Sequence, residues 1–264
     1  MTVPGRGIRS GMKAIPTRRV LSVTVVLTVL PVAVSCGDHG GGASNGSVAA
    51  GPALGASGRH LVITTDNGLL LRPADGHRAI VDDRAGADWS HRDGTWTLDL
   101  SCADRARGGG ACPRMPYVKV PDGVSVTVSA RNAGIDAADI AAALDLTTLN
   151  GDVTVTRSGD DDAAVRLSTR NGSVRATALD TPRLYAATTN GDVKLACATA
   201  PSSVTATTTN GSVGVTVPHN APAYAVTAGT DNGRATVAVP TRDVPHGPSM
   251  TLTTVNGDVD VRRD

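Results

Sequence analysis

Asparagine recurs in this chain at a spacing that leaves few folds open. Eight residues, Asn67, Asn132, Asn150, Asn171, Asn190, Asn210, Asn232 and Asn256, organise the sequence beyond residue 59, and all but Asn132 are followed directly by Gly. The last seven recur about every twenty residues, and a fixed period of roughly 20–50 residues is the mark of stacked-repeat architectures. Alignment on the Asn makes the unit explicit. Two positions earlier stand Thr65, Ala130, Thr148, Thr169, Thr188, Thr208, Thr230 and Thr254; four earlier stand Ile63, Val128, Leu146, Leu167, Ala186, Ala206, Ala228 and Leu252. Six earlier stand Leu61, Val126, Leu144, Val165, Leu184, Val204, Val226 and Met250. Three after the Asn come Leu70, Ile135, Val153, Val174, Val193, Val213, Ala235 and Val259, with mostly polar residues between. Each unit therefore reads as a strand alternating in and out, an Asn-Gly corner, and a second alternating strand.

Two architectures use such a unit. Asn-Gly between alternating strands is the strongest short hairpin signal and would give an antiparallel meander. A parallel β-solenoid instead makes each unit one coil and stacks equivalent residues. The solenoid accounts better for Thr and Asn at fixed positions, because identical polar side chains stacked along an axis can hydrogen-bond as ladders. Stacked strands about 4.8 Å apart would make seven coils a column roughly 30 Å long. The Ala-rich stretch from Ile135 to Leu144 has helical propensity, yet its place between two repeat Asn residues makes it a coil return.

Composition agrees with an all-β fold. All 24 acidic residues are Asp, Phe is absent, and there are two Trp and three Tyr. Without Glu the chain lacks good helix formers, whereas Asp, Asn and Gly favour turns and Val and Thr favour strands. Five of the 25 basic residues precede Cys36 and no acid does, which leaves a mildly acidic remainder. That remainder, poor in aromatics, excludes nucleic acid as a natural partner, since phosphate neutralisation and base stacking both lack their residues.

Residues 1–36 read as an export signal. Arg18-Arg19 is followed by an apolar run from Val20 to Val34, too short to span a membrane comfortably, and small residues precede Cys36. Ala33-Val34-Ser35-Cys36 resembles the lipobox of bacterial lipoproteins, with Ala33 where Leu is commonest, and implies lipid attachment at Cys36. Thr17-Arg18-Arg19-Val20-Leu21 has some likeness to a twin-arginine signal. Residues 37–58, a Gly, Ala and Ser tract, read as a flexible tether. The expectation is an exported protein held on the outer face of the cell membrane, with residues 59–264 as the folded β-repeat domain.

Within that domain, residues 73–121 break the period and read as a cap at one end, and residues 122–264 as regular coils. The cap carries Trp89, Trp96 and, around a short loop, Cys102 and Cys112. In an exported chain that pair reads as a disulfide. Arg262-Arg263-Asp264 reads as a charged finish at the other end. Cys197 has inward parity and reads as a buried free thiol.

Repeats of the form Leu-x-Thr-x-Asn-Gly-Asp-Val-x-Val, at Leu146 to Val155 and Leu252 to Val261, resemble the DUF4097 family of β-strand-repeat, adhesin-type proteins. Residues Trp96 to Val128 resemble its actinobacterial version, with Leu98-x-Leu100-x-Cys102, a second Cys, and Val120-Pro121-x-Gly123-Val124 leading into the repeats. The resemblance covers His60 to Asp264 and implies a β-solenoid on a bacterial cell envelope. It brings no established activity and no functional residues.

The chemistry of an enzyme is missing. The chain has no His-Glu-x-x-His and no phosphate-binding Gly loop. Asp160-Asp161-Asp162, in a return between repeats, reads as a solvated turn before a calcium site. Asp152, Asp192 and Asp258 follow corner Gly residues but not on every coil. The outward Thr205-x-Thr207-x-Thr209 and Thr251-x-Thr253 resemble ice-binding Thr rows, but Arg166 and Tyr185 interrupt the pattern. No catalytic residue, metal or cofactor is expected. The corner residues Asn150, Gly151, Asn171, Gly172, Asn190, Gly191, Asn210, Gly211, Asn232, Gly233, Asn256 and Gly257 are read as structural. The leading expectation is a lipid-anchored binding or scaffold module facing an envelope protein or glycan. An envelope polysaccharide-processing enzyme, with Asp161 as a candidate residue, and a structural envelope protein without a specific ligand stand as alternatives.

Overall fold

The computed structural model describes residues 49–54, 59–101, 113–242 and 246–264. Cys36, Cys102, Cys112 and the expected export signal lie outside the described residues, so the lipid and disulfide expectations are not addressed by the fold. The described residues belong to one compact unit, Asn45–Asp264.

Among the described residues twenty-one strands follow one another. They are β1 (Ala49–Ala53), β2 (His60–Thr65), β3 (Leu69–Pro73), β4 (Arg78–Val81), β5 (Asp88–Arg92), β6 (Thr95–Asp99) and β7 (Tyr117–Val120). The regular part holds β8 (Ser125–Ala130), β9 (Ile135–Ala138), β10 (Leu144–Asn150), β11 (Val153–Thr156), β12 (Ala164–Asn171), β13 (Val174–Leu179) and β14 (Arg183–Ala187). It continues through β15 (Val193–Cys197), β16 (Ser203–Thr207), β17 (Val213–Val217), β18 (Ala225–Asn232), β19 (Ala235–Ala238), β20 (Ser249–Asn256) and β21 (Val259–Arg263). One sheet runs β18-β20-β16-β14-β12-β10-β8-β2-β6-β5 and the other β1-β4-β7-β3-β9-β11-β13-β15-β17-β21-β19. In each regular coil the strand before the Asn lies in the first sheet and the strand after it in the second.

Stacking is parallel and in register, which settles the solenoid over the meander. Leu144 pairs with Val165, Val165 with Leu184, and Leu184 with Val204. Each inward row is thus a column of like residues, and Leu146, Leu167, Ala186, Ala206 and Leu252 are all fully buried. The interior between the sheets is narrow, which Val, Leu, Ala and Thr fill without Phe. Ile135 to Leu144 is a strand and a return, with no helical turn.

Four features differ from the expectation. First, Leu69, not Leu70, pairs with Ile135, and Leu69 and Leu71 are the fully buried residues. The Asn67 corner is one residue shorter than the others, so its parity does not shift in the same way. Second, the stretch expected to be a tether contains β1, paired antiparallel with β4, and Leu54 beyond it is fully buried. Third, the aperiodic segment hides a coil. Strand β6 pairs parallel with β2 and β7 parallel with β3, so these two strands make a further coil. Only β4 and β5 run antiparallel to their neighbours in that segment. The β5–β6 hairpin turns through Asp93 and Gly94, both with positive φ as a two-residue hairpin turn demands. Trp89 and Trp96 meet edge to face at 6.2 Å, and a Cβ on Gly51 would fall 2.8 Å from the Trp89 ring, so that ring lies against β1 and closes this end.

Fourth, coils do not stack in chain order. The last coil, β20–β21, sits between β16–β17 and β18–β19. The first coil, β2–β3, likewise lies one place in, between β6–β7 and β8–β9. Arg262 and Arg263 therefore do not finish the column. Its far end is the β18–β19 coil, where Val237 is 39% exposed while the equivalent Val215 and Val261 are 1% and 0%.

Candidate binding faces

The corners are built from three rows of side chains. Asn190 Nδ2 donates to Asn171 Oδ1, and Asn210 Nδ2 to Asn190 Oδ1, each at 2.9 Å. The ladder begins at Asn150 and ends with Asn256 donating to Asn210 and Asn232 donating to Asn256. The Thr row behaves differently from a ladder of like groups. Thr188 Oγ1 donates to the Gly172 carbonyl of the adjacent coil at 2.8 Å, as Thr169 does to Gly151 and Thr254 to Gly211. That geometry explains the Gly: Gly191 has φ 151°, and a Cβ there would lie 2.1 Å from the Gly172 carbonyl oxygen. The carbonyls of Gly151, Gly172, Gly191, Gly211 and Gly257 each accept from such a Thr.

A third row stands two positions after the Asn. Ser173 N–H donates to Asp152 Oδ1 at 2.7 Å, Asp192 N–H to Ser173 Oγ at 3.3 Å, and Ser212 N–H to Asp192 Oδ1 at 3.0 Å. Asp258 N–H then donates to Ser212 Oγ, and Arg234 N–H to Asp258 Oδ1. Acid and hydroxyl alternate along the axis, so no two carboxylates stack directly. The backbone N–H of Ser212, followed by Lys194, holds the Asp192 carboxyl below its usual range.

On the opposite edge, the returns carry Asp139, Arg157 and Ala178, all with positive φ. Arg157 makes a bidentate pair with Asp139 at 2.7 and 2.9 Å, which holds Asp139 below the usual carboxylate range. Asp160, Asp161 and Asp162 form a turn closed by Asp162 N–H on Asp160 Oδ1. The hydrogen bond with Asp160 and the charges of Asp162 and Asp160 push the Asp161 carboxyl up. Among the described residues no group of three His, Cys or Asp side chains is placed to hold a metal ion. Cys197 is buried, and burial pushes its thiol up to about 12. Tyr224, which the repeat pattern does not single out, is fully buried, with its hydroxyl unpartnered among the described residues.

The outer faces are where the column can meet another molecule. On the eleven-stranded sheet the outward residues four positions after the Asn run Thr154, Arg175, Lys194, Gly214, Asp260. Gly214 breaks the row: a Cβ there would meet nothing within 4 Å. The gap opens a groove of about 430 Å³ with Arg175 and Lys194 on one side and Asp258, Asp260 and Arg262 on the other. Its charges are held by short-range pairs, Lys194 with Asp192 at 3.2 Å and Arg262 with Asp260 at 2.8 Å.

On the ten-stranded sheet Arg166, Tyr185 and Thr205 stand side by side on adjacent strands. The Arg166 guanidinium lies 4.6 Å from the centre of the Tyr185 ring, a cation–π distance. The inserted last coil changes the Thr rows here. Thr205 and Thr207 face Thr251 and Thr253, and Thr227 follows Thr251, so a patch of five outward Thr spans three strands. The sequence places these residues 46 positions apart and gives no sign that they adjoin.

No curated protein matches the chain. Among solved structures, a candidate cell adhesion protein of Clostridium sporogenes is similar at 7% identity and TM-score 0.37, over 83% of this chain and 98% of that one. A candidate adhesin of Bacteroides fragilis is similar at 12% identity and TM-score 0.41, over 79% and 93%. One of Parabacteroides merdae is similar at 12% identity and TM-score 0.30, over 83% and 97%. The model of the Toastrack DUF4097 family matches residues 123–262, more than half of the chain and the whole run of regular coils. The chain belongs to the Toastrack DUF4097 family.

Proposed function

We propose that this protein is a non-enzymatic, lipid-anchored binding module of the cell envelope, which holds its sheet faces out to an envelope protein or glycan. The observation that carries the reading is the groove at Gly214. Its volume, about 430 Å³, falls within the range of roughly 300–1,000 Å³ in which proteins hold small ligands or chain segments. Its acids are engaged, Asp260 by Arg262 and Asp258 by the Arg234 backbone, which suits recognition by fixed charge and not proton transfer. The stacked framework beneath holds those side chains on rigid strands, so little ordering entropy is lost on binding.

Anchoring is the second half of the proposal, and it rests on Arg18-Arg19, the apolar run and Cys36. Photo-crosslinking in cells from Thr216 in the groove, and from Arg166, Tyr185 and Thr205 on the other face, tests the binding role. A discrete adduct at one face supports it and identifies the partner. Absence of adducts from all four sites, with the protein at the membrane, overturns it in favour of a structural role. Cys36→Ser is expected to move the protein from the membrane to the soluble exported fraction; retention at the membrane overturns the anchor.

A further inference from the structure

The two ends of the column are finished in different ways. At one end β1, β4 and β5 run antiparallel to their neighbours and the Trp89 ring packs against β1. At the other, β18 and β19 are the outermost strands of both sheets at once. All four residues of β19 are exposed, and Val226 and Ala228 are only partly buried where the equivalent Val204 and Ala206 are 1% and 0% exposed. Open edges are templates for pairing, and proteins ordinarily blunt them with bulges, charge or a covering segment. Neither β18 nor β19 contains Lys, Arg or Pro. The Asn ladder also ends here: Asn232 donates to Asn256, and among the described residues no further Asn donates to Asn232.

The residues 37–48 do not reach this end from β1. Strand β1 lies ten strand spacings away in the same sheet, nearly 50 Å at about 4.8 Å each, and twelve extended residues span about 40 Å. A single extended peptide would satisfy one edge and leave the other open. A second copy of the same end satisfies both. Head-to-tail stacking is closed off by the Trp89 end, so the contact must be two-fold. A two-fold axis normal to the sheets sets β18 against β18 and β19 against β19, both antiparallel. It also brings opposite charges together. Asp231 lies at one end of β18; beside the other end a recess of about 380 Å³ is lined by Tyr224, Val226, Thr227, Thr241 and Arg242. Antiparallel pairing carries Asp231 of each copy to Arg242 of the other.

We propose that the β18–β19 end is a homodimer interface, in which two columns join end to end and Asp231 of each pairs with Arg242 of the other. An end face about 25 Å by 20 Å buries on the order of 1,000 Å² in total, the lower limit for a specific interface, so a concentration-dependent dimer of micromolar affinity is expected. Sedimentation velocity of the exported chain over a concentration series tests it. The expected result is a monomer–dimer equilibrium that Asp231→Arg weakens at least tenfold and the double variant Asp231→Arg, Arg242→Asp restores. Amide exchange on the unaltered protein gives a check independent of folding of the variants: protection of residues 225–238 rises with concentration. A monomer at every concentration overturns the proposal. So does a dimer indifferent to Asp231→Arg, or concentration-dependent protection at some other segment.

Discussion

Asn256 Nδ2 donates to Asn210 Oδ1 at 2.8 Å across 46 positions of sequence, passing over Asn232 altogether. The coil of Asn256 is therefore an internal rung, one place from the end, and Asn210 is bonded on both sides. Asn210→Ala removes two side-chain bonds at a partly solvated corner, for an expected loss of about 1–2 kcal/mol. Urea unfolding measures it, with Asn220→Ala, exposed and off the ladder, expected to change stability by less than about 0.5 kcal/mol.

The corner Gly and the groove Gly separate two uses of one residue. Gly191→Ala forces a Cβ to within 2.1 Å of the Gly172 carbonyl oxygen at a positive φ, and should cost at least about 3 kcal/mol or prevent folding. Gly214→Ala meets nothing within 4 Å and should leave stability within about 0.5 kcal/mol. It narrows the groove instead, so crosslinking from Thr216 should fall while the melting temperature holds.

Thr188→Val keeps the shape of a buried side chain and deletes the donor to the Gly172 carbonyl. A buried acceptor left without its partner costs about 1–3 kcal/mol. Thr205→Val, outward on β16, should cost far less in the same denaturant titration.

The carboxylates predict the shape of the acid limb. Asp82 is held below its ordinary value of 3.8 by the Arg84 side chain, and Asp139 by Arg157. A lowered pKa means the stabilisation is fully present above about pH 4 and is lost as pH falls below it. Asp161 is shifted the other way by its acidic neighbours, so its ionised form opposes folding at neutral pH and the penalty disappears on acidification. Asp161→Asn should raise the melting temperature at pH 7 and leave it unchanged near pH 3. A drop at pH 7 would show that the ionised carboxylate makes a stabilising contact in the folded protein.

Cys197, buried with its thiol raised to about 12, should resist alkylation at pH 8 in the folded protein and react on unfolding. Mass spectrometry after iodoacetamide treatment reads both states.

Much of this architecture is legible in the sequence because the stacking makes it so. Asn, Gly and Thr at fixed positions are each required by contact with the next coil, and the contact repeats. What the sequence does not carry is the order of stacking. Asn232 and Asn256 both fit the ladder, and nothing in either repeat specifies which meets Asn210. The coil made by β6 and β7 escapes the pattern because no Asn stands between Asp99 and Tyr117 to mark it. Alignment with the longer corners puts Leu70 inward, and the shorter Asn67 turn reverses that parity. The Gly214 groove is invisible for a simpler reason. One missing side chain becomes a cavity only when its flanking rows are known to be Lys194 and Asp260.

The tucked-in terminus has a bearing on how the molecule is made. A column stacked in chain order can grow as the polypeptide emerges, each coil adding to a finished neighbour. Here the β18–β19 coil has no permanent seat until the last sixteen residues, Ser249–Asp264, have arrived between it and β16–β17. Its non-local pairing belongs to the slow class of folding events. Closure of this end is thereby deferred until residues 249–264 have been inserted. A chain cut short before residue 249 would leave β16–β17 exposed and the coil beyond it stranded, a defect that limited proteolysis would reveal.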